Sequence, residues 1–208
     1  MRRINNLFSR VYKKEEAHKI CVLGINGSPR IQGNSEILLD QALEGASKAG
    51  AQVEKIRIND YKFAACQACE NVRDDGYCSI NDDFQKIYRS IQKAEIIFLS
   101  SPIFFGSLTA QTKMMIDRFQ CHWQAVNIRK TCLNSLKKKG YFLCVQADCR
   151  DDFFANAVFI VRNFFATAGI EYCGELLCPE VAEKGSIIKF PDKLKQAFSL
   201  GENLVYQL

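Results

Sequence analysis

The amino-acid sequence predicts an α/β protein with a doubly wound, five-stranded parallel sheet that carries helices on both faces. Two patterns indicate this class. Five short apolar runs alternate along the 208 residues with segments whose apolar residues recur every three or four positions. Such an alternation of strands and helices is typical of a parallel sheet with helical crossovers. The composition, 48% hydrophobic and 25% charged, suits one folded domain that buries such a sheet.

The first βαβ unit is predicted between residues 19 and 58. Residues 19–25 form a nearly continuous apolar run, which favours a strand buried on both faces. A helix is expected over residues 34–49, with one apolar stripe and with Gly50 where a helix commonly ends. Residues 52–58 alternate between apolar and polar side chains and predict the second strand.

The other elements follow the same logic. The remaining strands are predicted at residues 95–101, 141–146 and 171–178. The remaining helices are predicted from Asp82, over residues 109–119, over residues 154–168 and from Pro191. Right-handed crossovers with one reversal of direction give the strand order 2-1-3-4-5. Residues 59–81 lack periodicity and predict a long, structured loop, which is usually functional.

The loop after the first strand has the composition of a phosphate-binding loop. It reads GSPRIQGNS and runs into the first helix, whose free amides and positive dipole end suit a phosphate dianion. The candidate contacts are Ser28, Arg30, Gly33, Asn34 and Ser35. The loop has neither the lysine of a Walker A motif nor the G-x-G-x-x-G pattern, which argues against an ATPase and a dinucleotide domain. An ordinary turn before a capped helix remains the alternative.

The loop after the third strand could hold a flat, conjugated ring. It contains apolar and aromatic side chains, and its glycine allows the backbone to approach a ring closely. The candidate residues are Pro102, Ile103, Phe104, Phe105 and Gly106.

Together, GSPRIQGNS and SPIFFGSLTAQTKMMIDRF resemble the NADPH-dependent FMN reductase family and its iron–sulfur flavoprotein relatives. The resemblance covers residues 19–119 and implies a flavodoxin-like fold with FMN bound non-covalently. It implies that the first loop holds the phosphate and the second holds the ring. The loop after the fourth strand, which often carries glycines in this family, would add Ala147 and Asp148. Phe104 stands where the family commonly has tyrosine, so one hydroxyl near the ring is absent.

The resemblance also implies an activity. NADPH or NADH would pass a hydride through FMN to an acceptor such as a flavin, a quinone, another small molecule or a protein. We predict no catalytic side chain, because the flavin itself carries the chemistry. The family implies a homodimer or homotetramer. A flavin-binding protein without steady turnover remains an alternative.

The cysteines leave a second function open. Cys66, Cys69 and Cys78 match three positions of the C-x2-C-x2-C-x5-C motif of iron–sulfur flavoproteins, but Val72 stands at the remaining position. Because cluster ligation normally needs four thiolates, we expect no iron–sulfur cluster and no firm metal site. A ligand from elsewhere, such as Cys121, would reopen the alternative: an electron-transfer protein that works with a ferredoxin-like partner. A Cys66–Cys69 redox pair is a further possibility.

Charge and hydropathy exclude other classes. The net charge is +5, but no aromatic residues interleave with Lys137, Lys138 and Lys139, so we expect a solvated basic surface without nucleic-acid binding. No run of 18 apolar residues predicts a membrane span, and we expect a cytoplasmic protein. Residues 1–18 are interpreted as an N-terminal extension, with a helix from Leu7 to Glu16, and residues 19–208 as the FMN-binding domain.

Overall fold

The computed structural model describes residues 18–69, 73–131 and 137–207. It contains the predicted five-stranded parallel sheet, in the order β2-β1-β3-β4-β5. The strands are β1 (Cys21–Asn26), β2 (Gln52–Arg57), β3 (Ile96–Pro102), β4 (Lys138–Val145) and β5 (Ile170–Cys178). The predicted flavodoxin-like order is therefore confirmed. None of the helices in the described ranges combines the length and apolar character that crossing a membrane requires.

Helices cover both faces of the sheet. They are α1 (Asn34–Lys48), α2 (Phe84–Lys93), α3 (Ala110–Asp117), α4 (Gln120–Asn127), α5 (Asp151–Thr167) and α6 (Pro191–Tyr206). One core cluster joins the sheet to α1 and α6, and the other joins it to α2, α3 and α5. The buried side chains of β1 and β3 point alternately into these two clusters, which explains their continuous apolar sequence.

Helices α1 and α6 pack closely because glycine lies at their crossing. A Cβ atom on Gly201 would lie 1.8 Å from the backbone oxygen of Ala42. A Cβ atom on Gly45 would lie 2.0 Å from the backbone oxygen of Phe198. Only hydrogen fits at these two positions, so the separation of the two helices depends on them.

Three elements differ clearly from the sequence prediction, one of them α5, which begins at Asp151, three residues before its predicted start. The predicted helix over residues 109–119 ends at Asp117, and a separate helix, α4, follows it. Strand β4 begins three residues before Tyr141, at Lys138. The Lys138 ammonium is buried and donates to the backbone oxygens of Gln92 and Ala94, at 2.8 and 3.2 Å. These oxygens lie at the end of α2, where a cation stabilises a helix.

The expectation that Lys137, Lys138 and Lys139 form a solvated basic surface was therefore wrong for Lys138. Its side chain crosses from the sheet to the end of a helix, a contact that no periodicity reveals. Residues 1–17 of the predicted N-terminal extension, including its helix at Leu7–Glu16, lie outside the described residues.

Candidate functional site

The strand order reverses between β1 and β3, and a cavity of about 390 Å³ lies at their carboxyl ends. This is the position at which doubly wound sheets bind ligands, and the volume is within the range of about 300–1,000 Å³ for small-molecule sites. The cavity is lined by Ser28, Arg30, Gly33, Asn34, Ser35, Pro102, Ile103, Phe104, Phe105, Val145, Gln146, Ala147, Val181, Ala182 and Lys184. We call it the main cavity.

At one end of the main cavity, helix α1 begins without a side-chain cap. Gly33 is its N-cap residue and provides no side-chain hydrogen bond. The first helical bond runs from the Ile37 amide to the Gly33 oxygen at 3.0 Å. The amides of residues 34–36 therefore have no partner within the helix, and they form the positive end of its dipole. This arrangement suits an anionic group such as a phosphate.

The loop before α1 is held in shape by its own hydrogen bonds. The Ser28 amide donates to Asn26 Oδ1 at 2.9 Å, and the Arg30 amide donates to Ser28 Oγ at 3.2 Å. The Gly33 amide donates to the Arg30 oxygen at 3.2 Å. A Cβ atom on Gly33 would lie 3.1 Å from both Ser28 Oγ and the Arg30 oxygen, so the tight turn favours glycine.

The side-chain amide of Asn34 is already hydrogen-bonded to the backbone of another loop, so it is not a free donor for a ligand. Its Nδ2 donates to the Glu183 oxygen at 2.7 Å, and its Oδ1 accepts from the Ile187 amide at 3.2 Å. Asn34 thereby ties the segment after β5 to the start of α1. As a consequence, Lys184 reaches the cavity wall, a position that the sequence analysis did not identify.

Arg30 and Lys184 are the two cationic side chains that line the main cavity, and both are exposed. Within the described part of the chain, neither forms an ion pair. The nearby carboxylate of Glu36 is only 4% exposed. Its negative charge is compensated by two cations, because Glu36 Oε1 lies 3.2 Å from Lys55 Nζ and 3.4 Å from Arg57 Nε. The charge at this end of the cavity is therefore positive, which favours an anionic ligand.

The other end of the main cavity is a tight aromatic turn. The Phe104 amide donates to the Ser107 oxygen at 2.8 Å, and the Ser107 amide donates to the Phe104 oxygen at 3.1 Å. Phe105 and Gly106, the two central residues, have φ angles of +50° and +73°. The solvent-accessible area of Phe105, relative to a fully exposed residue, is 108%, and that of Phe104 is 39%. Such exposure is unusual for two phenyl rings. A positive φ is also uncommon for a bulky residue and is tolerated mostly where function requires it.

The loop after β4 forms the third wall. Gln146 Nε2 donates to the Arg150 oxygen at 3.0 Å, whereas the buried Gln146 Oε1 has no partner among the described residues. Gln146 lines the cavity, and this oxygen is a buried acceptor without a hydrogen bond in the described structure. Asp148 does not line the cavity, and its Oδ1 accepts from the Cys149 amide at 2.8 Å.

Of the twelve residues predicted to bind the cofactor, ten line the main cavity, whereas Gly106 and Asp148 lie beside it. Gly106 shapes the turn, and its backbone oxygen accepts from Asn156 Nδ2 at 2.9 Å. The structure adds Val145, Gln146, Val181, Ala182 and Lys184. Val145 ends strand β4, and the backbone bonds from Gln146 to Cys178 and from Val181 to Gln146 bring the other segments to the site; such contacts leave no motif in the sequence. Contact of these residues with FMN remains a prediction.

The four cysteines considered for a metal lie around a second, smaller cavity of about 30 Å³. Cys66, Cys69 and Cys78 come from the long loop between β2 and α2, and Cys121 comes from α4. Burial, and to a lesser extent Cys78, raises the pKa of the Cys121 thiol to about 12. No three His, Cys, Asp or Glu side chains in residues 18–69, 73–131 and 137–207 are placed to hold a metal ion.

Arg118 anchors the loop that surrounds the second cavity. Its side chain is 0% exposed, and its two terminal nitrogens bind the Asp82 carboxylate at 2.7 and 3.1 Å. It also donates to the backbone oxygens of Ala64 and Ile80, at 2.8 and 3.3 Å, and its Nε donates to Cys78 Sγ at 3.2 Å. Arg118 thus fixes the loop against the end of α3.

Comparison with known proteins assigns the family. Residues 20–167, well over half of the chain, match the family described as NADPH-dependent FMN reductase. The chain belongs to the NADPH-dependent FMN reductase family. The match spans the phosphate-type loop, the aromatic turn and the cysteine loop, so the resemblance inferred from the two motifs is confirmed.

The curated relatives of this chain include proteins named iron–sulfur flavoproteins and proteins named flavin reductases. An iron–sulfur flavoprotein of Methanocaldococcus jannaschii is 38% identical over 97 residues, which are 47% of this chain and 50% of that protein. An NAD(P)H-dependent FAD/FMN reductase of Geobacillus thermodenitrificans is 29% identical over 96 residues, which are 46% of this chain and 49% of that protein. The chain spans about half the length of the curated relatives it matches.

Two solved structures show the same fold as this chain. An NAD(P)H:quinone oxidoreductase from Methanothermobacter marburgensis superposes with a TM-score of 0.68 at 17% identity, covering 90% of this chain and 100% of that one. A flavone reductase superposes with a TM-score of 0.68 at 20% identity, covering 90% of this chain and 62% of that one. At these identities the likeness establishes the architecture of this FMN reductase family member, and nothing finer.

Proposed function

We propose that this protein binds FMN in the main cavity and acts as an NAD(P)H oxidoreductase. The observation that carries the proposal is the convergence of three loops, two of them marked by the sequence motifs, on one cavity at the topological reversal of the sheet. The cavity has a positive end with free helical amides and an aromatic end with a tight turn. FMN has the complementary pair of groups: a phosphate dianion and a planar ring.

The residues of this chain would do the positioning. The amides of residues 34–36 and the Ser28 loop would hold the phosphate, with Arg30 and Lys184 adding charge. Pro102, Ile103 and Phe104 would pack against the ring, and Gln146 Oε1 would accept a ring N–H. When bound, FMN supplies hydride and electron transfer, which these side chains do not perform themselves.

The open side of the cavity would admit the nicotinamide and then the acceptor. No second nucleotide-binding unit lies in the described part of the chain, so both substrates would use the same exposed face of the ring in turn. A flavin, a quinone or a similar flat acceptor fits a site bordered by Phe104 and Phe105. The nine described cysteines are free thiols, which is typical of a reducing compartment and supports a cytoplasmic location.

Two measurements test this proposal. Titration of the full chain with FMN should quench flavin fluorescence with a stoichiometry of one, and riboflavin, which lacks the phosphate, should bind more weakly. Anaerobic mixing of the FMN-loaded protein with NADPH and with NADH should bleach the flavin absorption with at least one of them. A protein that binds no FMN, or whose bound flavin neither nucleotide bleaches, would contradict the proposal.

Assembly as a homodimer is a further part of the proposal. A groove of about 260 Å³ between α4 and α5 exposes Trp123 and Phe159. Exposed aromatic residues are enriched at protein interfaces. Sedimentation velocity of the full chain measures the oligomeric state, and a monomer at micromolar concentration would contradict it.

An electron-transfer role with a ferredoxin-like partner is the second candidate. It is favoured by one observation, the meeting of four cysteines around the second cavity. This role requires a metal cluster in that cavity.

A further inference from the structure

The loop before α1 contains one residue whose backbone conformation its side chain disfavours. Gln32 has a φ of +52° and occupies the third position of the turn that the Gly33 amide closes on the Arg30 oxygen, at 3.2 Å. A positive φ at this position of a turn favours glycine or asparagine. In a residue with a longer side chain, such strain persists only where surrounding contacts hold the residue in place.

The carboxylate of Glu36 provides that contact. Glu36 Oε2 accepts a hydrogen bond from the Gln32 amide at 2.7 Å. The Glu36 side chain is buried, whereas Gln32 is exposed. A bond from an amide to a buried carboxylate is stronger than one between neutral groups, because the acceptor is charged and little water competes for it. Glu36 therefore fixes a strained loop residue from the first turn of α1.

A buried carboxylate beside a phosphate site would repel the phosphate if its charge were uncompensated. Two cations of strand β2 prevent this, because Lys55 Nζ and Arg57 Nε lie 3.2 and 3.4 Å from Glu36 Oε1. They contact the oxygen that Gln32 does not use. Among the described residues, the carboxylate accepts no hydrogen bond from the amides of residues 34–36, which stay available to a ligand.

We propose that Glu36 is a positioning residue for the phosphate end of FMN. It holds Gln32 in the left-handed conformation, and this contact keeps the turn over residues 30–33 and the start of α1 in an arrangement that a phosphate can bind. Glu36 does not line the main cavity, so it acts through the loop and not on the ligand. This role rests on the proposed binding of FMN in the main cavity.

Removal of the carboxylate should weaken the binding of FMN and spare the binding of riboflavin. E36A releases the Gln32 amide, and we expect the Kd for FMN, measured by flavin fluorescence on the full chain, to rise about tenfold. Riboflavin lacks the phosphate, so its Kd should change by less than about twofold. A general loss of structure would weaken both ligands, and that outcome would contradict the proposal.

The E36A variant leaves both cations of β2 with a carboxylate. Lys55 also binds Asp40 and Arg57 also binds Asp60, each at 2.8 Å, so we expect the variant to fold, which circular dichroism checks. D40A is the matched control, because it removes a carboxylate from the same lysine. Among the described residues Asp40 accepts no hydrogen bond from a loop amide, so the Kd of D40A for FMN should equal that of wild type.

Glycine at position 32 separates positioning from any other role of Glu36. Glycine adopts a positive φ without steric cost, so Q32G removes the need for the contact with the carboxylate. In the Q32G background, E36A should raise the Kd for FMN by no more than about twofold. A rise as large as in the parent protein would refute the positioning role.

Hydrogen exchange of the Gln32 amide tests the contact without any variant. An exposed loop amide exchanges rapidly unless it is hydrogen-bonded, so slow exchange of Gln32 in wild-type protein supports the proposal and rapid exchange refutes it. An E36A variant that binds FMN as tightly as wild type would also refute it, while the proposed function would stand. Wild-type protein that binds no FMN would instead refute the proposed function, and this role with it.

Discussion

The ion pair between Arg118 and Asp82 holds the cysteine loop in place, and its loss should destabilise the protein by about 3 kcal/mol. The Ala64 and Phe84 amides donate to the two different oxygens of Asp82, at 3.0 and 3.1 Å, so in D82N only one of these amides keeps its acceptor. The negative charge is lost, and the Arg118 guanidinium, 0% exposed, is left buried without a counterion.

The magnitude follows from the geometry. Removing one partner of a buried ion pair typically costs about 3–5 kcal/mol. Coulomb's law at an effective dielectric constant near 20 gives a similar figure, on the order of 4 kcal/mol, for charges about 4 Å apart. Asp82 is 15% exposed, so solvent reaches the pair and the lower end applies. For a domain of this size, about 3 kcal/mol corresponds to a decrease of about 6–12 °C in Tm.

Urea unfolding followed by circular dichroism measures the effect. The matched control is D117N, which removes an exposed i,i+4 pair between Asp117 and Lys113 and should cost no more than about 0.5 kcal/mol. The two carboxylates differ in the burial of their partners and in the two backbone amides that donate to Asp82, whereas Asp117, among the described residues, pairs only with the exposed Lys113. If D82N were as stable as D117N, the buried ion pair would not anchor the loop and the reasoning would fail.

The pH dependence gives an independent check. Burial works to raise the pKa of Asp82, but the hydrogen bond from Arg118 and two backbone amides outweigh it, and the pKa is lowered. A carboxyl with a lowered pKa contributes stability above its unfolded pKa, near about 3.9, and loses it as the pH falls through the folded value. The stability difference between wild type and D82N should therefore be constant from neutral pH to about pH 5 and shrink below about pH 4.

Three further predictions concern packing and cofactor binding. G201A should lower the free energy of unfolding by about 3 kcal/mol in urea titrations, since its Cβ would lie 1.8 Å from the Ala42 oxygen and the helices must separate; an unchanged midpoint would contradict this. K184Q should raise the Kd for FMN up to about tenfold at low salt, with a smaller change at high salt and none for riboflavin. An effect that persists in high salt would exclude a charge contact. G106A should weaken FMN binding and cost about 1–2 kcal/mol of stability, because φ is +73° and the new Cβ would lie 3.0 Å from the Phe153 ring; FMN affinity equal to wild type would show that this turn does not shape the site.

Much of the site follows from local patterns. The loop from Gly27 to Ser35 and the turn from Pro102 to Gly106 each contain their own signal, because glycine, proline and helix-start residues act within a few positions. The strand order places these two loops side by side once the periodicity has given five strands. These features required no knowledge of distant contacts.

Other residues could not be identified in this way. Lys184 reaches the main cavity because Asn34, about 150 residues earlier in the chain, holds the segment after β5 with two hydrogen bonds. Asn34 was predicted as a ligand donor, and the structure shows its side chain engaged with the backbone of another loop. A residue type at one position does not reveal which of its possible partners the fold brings near.

Periodicity and local motifs by themselves determined the five-stranded sheet and the two loops of the main cavity, because burial patterns and turn preferences act over short stretches of chain. Only the tertiary structure decided that Cys121 faces the cysteine loop, that Arg118 pairs with Asp82 and that Lys138 is buried. Those contacts join segments that lie far apart in sequence, and their geometry is set by the packing of the helices on the sheet.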